Sequence, residues 1–174
     1  MTHREAVALI RDGVPSRGGV WADLGAGGGT FTKAVADLVG DDGVVYAVDR
    51  DAGVLNLATE ASGGSAEIRA ILADFSEPLS VPALDGIVMA NALHFVADPE
   101  SVLARILEHV HPSGAFLLIE YDLERGTPWI PHPIPRSRVG TLARRVGLTD
   151  VREVGSTPSR FGRRDIYAVA ARKR

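Results

Sequence analysis

Short apolar runs alternate with amphipathic stretches along the first 122 residues, and this alternation limits the fold more than any other feature. The runs lie in GGVWADLG, GVVYAVDRD, AEIRAILADF, LDGIVMANALHF and AFLLIEYD. Their β-branched and aromatic content, and their bounding by Gly, Pro and Asp, predict five strands. Between and before them, REAVALIRDG, TFTKAVADLVG, AGVLNLATEAS and DPESVLARILEHVHPSG carry helical spacing. In the first, Ala6, Leu9 and Ile10 share a side and Gly13 stops the helix. Thr30 is placed to cap the second and Gly40 to end it; Gly63 and Gly64 close the third. The fourth has Asp98 as cap and Pro99 in its first position, with His109, His111, Pro112 and Gly114 marking its end. Strands that alternate with helices form parallel βαβ units in an α-β-α sandwich. AFLLIEYD is apolar almost throughout, as a central strand covered on both faces must be.

The texture changes after residue 122. LERGTPWIPHPIPRS holds Pro128, Pro131, Pro133 and Pro135, which excludes helix and interior strand. RSRVGTLARRVG reads as a helix. LTDVREVGS and RDIYAVAARKR read as strands joined through TPSRFGR, a hairpin that would add one antiparallel strand to the sheet.

The chain has 174 residues, 45% of them hydrophobic and 24% charged, which fits one globular domain spanning 1–174. No stretch has the apolar length of a membrane span, and MTHREAVALIRDG lacks the pattern of a signal peptide, so a cytoplasmic setting is expected. The absence of Cys excludes disulfides, thiolate metal sites and cysteine nucleophiles. The five His (3, 94, 109, 111 and 132) show no ligand spacing, so no metal is expected. A net charge of −3 hides an asymmetry: residues 125–174 hold twelve Arg or Lys against three acids, and the rest seven against nineteen. Such a basic third can attract nucleic acid or can be a solvated face that balances an acidic body.

The most unusual stretch is WADLGAGGGTF, from Trp21 to Phe31. Glycines between a strand and a helix permit a tight turn and close backbone approach to a ligand, and the helix start offers free N–H groups. In an α/β sheet this loop lies at the carboxyl edge of the strands, where ligands bind. Three further residues reach the same edge. Asp49 ends the second strand, 24 residues after Gly25, where a carboxylate can accept both hydroxyls of a ribose or can cap the next helix. Asp74, followed by Phe75, ends the third strand and suits an adenine amino group and ring. Asn91 closes the fourth. Thr30 departs from the G-x-G-x-x-G/A pattern of dinucleotide sites, and no Gly-Lys-Ser/Thr follows to make a P-loop.

The order DLGAGGG, VVYAVD, ILADF, LDGIVMANALHFV and ILEHVHPSGAFLLIE resembles the class I S-adenosylmethionine-dependent methyltransferases. It is most similar to the small-molecule branch that includes the ubiquinone/menaquinone biosynthesis enzymes. EHVHPSGAF stands where that branch typically reads R-x-L-K-P-G-G. The resemblance covers residues 20–120. It implies a Rossmann-like, mostly parallel sheet of seven strands with an antiparallel C-terminal strand. It divides the chain into an N-terminal helical segment (1–19), a cofactor-binding core (20–120), and a proline-rich loop, helix and hairpin (121–174). It implies that Asp23, Gly25, Ala26, Gly27 and Gly29 surround the methionine part of S-adenosylmethionine. Asp49, with Arg50 beside it, would hold the ribose; Asp74 and Phe75 the adenine; Asn91 and Ala92 the sulfonium side.

Methyl transfer needs in-line positioning of the acceptor, and a base only where the acceptor loses a proton. His94 and Tyr121 are the catalytic candidates, each with a packing role as the alternative. Asp122 faces the same rim, and His132 is a weaker candidate. In the resembling family the segment after the fifth strand often forms part of the acceptor site, which would use Trp129 and Ile130. Arg160 and Phe161 could reach an acidic or aromatic acceptor. NALH in place of N-P-P-Y or D-P-P-Y argues against nucleobase or glutamine amines. The expected activity is methylation of a small molecule, with S-adenosylhomocysteine as product. An RNA or protein acceptor, or a binding module without activity, are the alternatives.

Overall fold

The structure, a computed structural model, describes residues 1–15, 17–60, 66–159 and 164–174. Five helices and seven strands follow in the order α1 (His3–Ile10), β1 (Gly19–Leu24), α2 (Thr30–Val39), β2 (Gly43–Asp49), α3 (Ala52–Glu60), β3 (Glu67–Leu72), β4 (Leu84–Ala90), α4 (Pro99–Leu107), β5 (Val110–Tyr121), α5 (Arg136–Arg145), β6 (Leu148–Pro158) and β7 (Asp165–Lys173). Short 3-10 turns cover Arg11–Gly13 and Leu93–Phe95. The strands form one sheet in the order β3-β2-β1-β4-β5-β7-β6. β1 to β5 pair in parallel, and β7 runs antiparallel between β5 and β6. This is the expected seven-stranded α/β sandwich with a reversed C-terminal strand.

Alternation of side chains along each strand builds two cores, one per face. Leu24, Ile87, Met89, Phe116 and Leu118 pack beneath α4 and α5. Trp21, Val88, Leu117 and Ile119 pack beneath α1 and α2. The strand order reverses between β1 and β4, which are paired neighbours. Connections from the two leave in opposite directions, so a crevice opens beyond their carboxyl ends.

The helix starts combine expected and unexpected features. Asp98 caps α4, accepting from the Ser101 amide at 3.2 Å, with Pro99 in the first turn. α1 opens with a reciprocal capping box between Thr2 and Glu5. Thr30 does not cap α2. It is the first helical residue, and Gly29 holds the cap position with φ +78°. Asp74 and Asn91 lie one or two residues beyond the strands they were expected to end, and β5 begins at Val110 rather than at Ala115. The proline-rich stretch is irregular apart from one bridge between Thr127 and Ile130. Gly63, Gly64, Arg160 and Phe161 lie outside the described residues. No helix among the described residues is long and apolar enough to cross a membrane.

Candidate functional site

A cavity of about 960 Å³ occupies the crevice beyond β1, β2 and β4. Its floor is the turn from β1 to α2. The amides of Gly25 and Ala26 both donate to the Val48 carbonyl (2.9 and 3.0 Å), folding the turn back onto β2. Gly25 has φ +80°, and a Cβ there would stand 2.6 Å from that of Ala92. The first glycine therefore lets β1 exit against the segment after β4. Gly27 and Gly28 face open space, with no atom within 4 Å of an added Cβ.

Asp49 joins the turn to β2. One carboxylate oxygen accepts from the Gly27 amide at 2.9 Å, the other from the Asp51 amide at 3.0 Å. It thus fixes the loop and still borders the cavity. Asp74 accepts from the hydroxyl and amide of Ser76 (2.6 and 2.9 Å), and these bonds, with help from Arg50, hold its carboxyl below the usual range. Arg50 reaches Asp74 at 3.5 Å. Phe75 stands on the same wall.

Two buried oxygens in this wall have no partner among the described residues. Asp23 is 1% exposed; Thr32 donates to its Oδ2 at 2.6 Å, and Oδ1 bonds to nothing. Burial pushes this carboxyl up to about 7, against the Thr32 hydrogen bond and with a contribution from the charge of Asp49. Asn91 is held in a left-handed conformation (φ +52°), its amide donating to the Ile119 carbonyl at 2.8 Å, and its Oδ1 is likewise unpartnered. A buried acceptor without a donor is costly, so the pair marks where a donor or a cation would be received.

The sequence reading therefore places most of its candidates together. Asp23, Gly25, Ala26, Gly27, Asp49, Arg50, Asp74, Phe75, Asn91, Ala92 and Tyr121 all line the cavity. Gly29 does not. A Cβ there would collide with the Ala58 backbone at 2.6 Å, so its tight contact is with α3. Gly28 lines the cavity instead, as do Val54 and Ser76, which the sequence did not single out, and Thr30, which it offered only as a cap. A run of three glycines signals a loop without telling which member faces inward.

His94 is also displaced from the expected role. It is 2% exposed and absent from the cavity wall. Glu120, fully buried, accepts from its Nδ1 at 2.6 Å and from its amide at 3.1 Å. The carbonyl of His94 accepts from the His132 amide at 3.0 Å. The imidazole thus ties the Leu93–Phe95 turn to β5 and to the proline-rich loop. No residue of 122–135 lines the cavity; Trp129 is 83% exposed on that loop, and Asp122 is engaged by Arg136. Phe95 and Tyr121 also border the cavity, Tyr121 at the end of β5 and so across β1 from β3, after which Asp74 stands. Burial, and the nearby Glu120 charge, raise the Tyr121 phenol.

A methyltransferase-domain family model matches residues 22–118. A ribosomal RNA small subunit methyltransferase H from Desulfosudis oleivorans is 33% identical over 98 residues, 52% of this chain. The chain spans only 30% of the length of that curated relative. Among solved structures, a SAM-dependent methyltransferase from Aquifex aeolicus superposes with a TM-score of 0.74 at 20% identity, covering 97% of this chain and 89% of that one. A 1,6-didemethyltoxoflavin-N1-methyltransferase from Burkholderia thailandensis, with bound 1,6-didemethyltoxoflavin and S-adenosylhomocysteine, gives 0.73 at 21% identity, covering 98% and 77%.

Proposed function

We propose, from the premise that this chain belongs to the methyltransferase-domain family, that its cavity binds S-adenosylmethionine and that the protein methylates a small molecule. The observation that carries this reading is the pair of unpartnered oxygens, Asp23 Oδ1 and Asn91 Oδ1, set against an open glycine loop in one cavity. Both suit a ligand with an ammonium group and a sulfonium centre. Bound there, S-adenosylmethionine supplies a methyl group already activated by the positive sulfur.

The chain's own residues do the rest. Asp23, desolvated and electronegative, receives the positive amino end. Gly27 and Gly28 leave the backbone bare for close approach. Asp49 borders the sugar and Asp74 with Phe75 the base, as the family resemblance implies. Tyr121, its phenol raised by burial, keeps its proton near neutral pH and so offers a hydrogen bond that orients an acceptor. His94 supports the scaffold from behind, so a base is not assigned to it.

The relative acting on ribosomal RNA raises a nucleic-acid acceptor. The cations at the chain's end speak against it. Arg172 donates to the Ser113 carbonyl and Lys173 to that of Val110, at the start of β5 and opposite the cavity. Arg136 is held by Asp122, Glu153 and Asp165.

Calorimetry with S-adenosylhomocysteine tests the cofactor. Saturable binding is expected, weakened about ten- to hundredfold in Asp49→Ala through loss of a charge-assisted loop contact. No heat at millimolar ligand would remove the reading.

A further inference from the structure

We infer that Arg105, which lies outside the cavity, is a positioning residue for the methyl donor. It fixes the loop from which Asp74 distinguishes an aminopurine from a purine without the amino group. This rests on the proposed cofactor reading, which gives the Asp74 wall to the base. That wall begins the connection from β3 to β4, and residues 73–83 form neither helix nor strand. Its shape therefore depends on individual contacts. At one end the Ala73 amide donates to the Asp49 carbonyl at 3.0 Å, which ties the loop to β2. Farther along, Leu79 and Val81 pack against the core that α4 covers. Between these anchors Asp74, Phe75 and Ser76 all line the cavity.

A chain of bonds runs through that stretch. Arg105, in the last turn of α4, donates from its guanidinium to the Ser76 carbonyl. That carbonyl and the Glu77 amide belong to one rigid peptide plane, and the amide donates to the Asp74 carbonyl at 3.0 Å. Holding one side of the plane therefore holds the other. The Ser76 amide and hydroxyl both donate to Asp74 Oδ1, at 2.9 and 2.6 Å. Among the described residues, Oδ2 has Arg50 at 3.5 Å, at the limit of a hydrogen bond. Oδ2 is thus the atom left to accept from a ligand's amino group. The Ser76 bonds keep the carboxyl ionised at neutral pH, so it accepts and does not donate. An amino group gains a charge-assisted bond there, and a C–H in its place gains none. Packing alone does not explain the guanidinium. Its Nε is buried and has no partner among the described residues, which costs stability.

The test compares S-adenosylhomocysteine with its analogue carrying unsubstituted purine in place of adenine, each titrated by calorimetry. The wild-type protein should prefer the adenine compound by about tenfold or more. Arg105→Met keeps an apolar stem and removes the donors, the unpaired buried N–H included. It should bring the preference to about threefold or less, chiefly by weakening the adenine compound. Arg105→Lys can still donate to the Ser76 carbonyl and should stay within about twofold of the wild-type preference. Ser76→Ala cuts the next link with Arg105 in place and should narrow the preference as Arg105→Met does. A full preference in Ser76→Ala breaks the chain and overturns the inference whether or not Arg105→Met folds. Equal weakening of both ligands in Arg105→Met, with the preference kept, reports a merely structural role and also overturns it. So does a Lys variant no better than the Met one, or a wild-type protein that binds both ligands alike. In these cases S-adenosylhomocysteine still binds and the cofactor reading stands. No binding of it to the wild type at millimolar concentration removes that reading first, and the inference with it.

Discussion

Asp23 follows Trp21 and Ala22, which pack into the cores on the two faces of the sheet, yet its side chain faces Thr32 and the cavity. Its carboxyl holds a proton up to about pH 7 in the folded protein and releases it near 4 when unfolded. Between those values the folded state binds more protons. Stability without ligand is therefore greatest below the lower value and falls as the pH rises to the upper one, by up to about 4 kcal/mol. Asp23→Asn removes this titration, and urea unfolding at stepped pH should show a flatter profile between 4 and 7. An unchanged profile would place the pH dependence elsewhere. The place of Asp23 beside the glycine turn was legible from DLGAGGG. Its unsatisfied oxygen was not, because that depends on where α2 brings Thr32.

At the scale of elements, the Leu93–Phe95 turn depends on one residue of β5. Glu120 accepts both His94 donors, and the turn in turn places Phe95 on the cavity wall. Glu120→Ala leaves two buried donors without an acceptor and is expected to cost about 3 kcal/mol. For a domain of this size that lowers the melting temperature by roughly 6–12 °C. Scanning fluorimetry checks it, and Glu120→Gln, which can still accept one bond, should fall between. A loss within about a degree would show that the pair does not hold the turn. The sequence could not reveal this partnership. His94 and Glu120 lie 26 residues apart, and Glu120 stands in the apolar run AFLLIEYD, where only pairing across β4 and β5 brings them together. The strand ends, in contrast, were legible to within two residues, since Asp49, Asp74 and Asn91 stop runs of period-two or continuous apolar pattern.

At the scale of the whole molecule, the basic end of the chain is kept away from the cavity rim. The carboxylates Asp23, Asp49, Asp51 and Asp74 gather at the carboxyl edge of the sheet, and Arg172 and Lys173 lie at the opposite one. The reversal of β7 produces this, because an antiparallel strand delivers the chain's basic end to the edge where its parallel neighbours begin. Binding to a structured RNA should therefore be weak, with an affinity that changes little with salt. A log–log salt slope of about −4 or steeper would indicate a phosphate-tracking surface and restore the RNA alternative.

The sequence by itself determined the alternation of strands and helices, the glycine turn, and the acids at the ends of β2 and β3, because period, turn chemistry and capping are written in neighbouring residues. It also contained the family resemblance that the domain match bears out. Only the tertiary structure decided which groups face the cavity: Gly28 rather than Gly29, Phe95 and Tyr121 rather than His94, and the N-terminal Glu5 rather than the proline-rich loop. Those choices depend on α3 crowding Gly29, on Glu120 turning His94 inward, and on α1 bringing Glu5 to the cavity wall. Contacts between elements remote in the chain set them, and a local pattern does not encode such contacts.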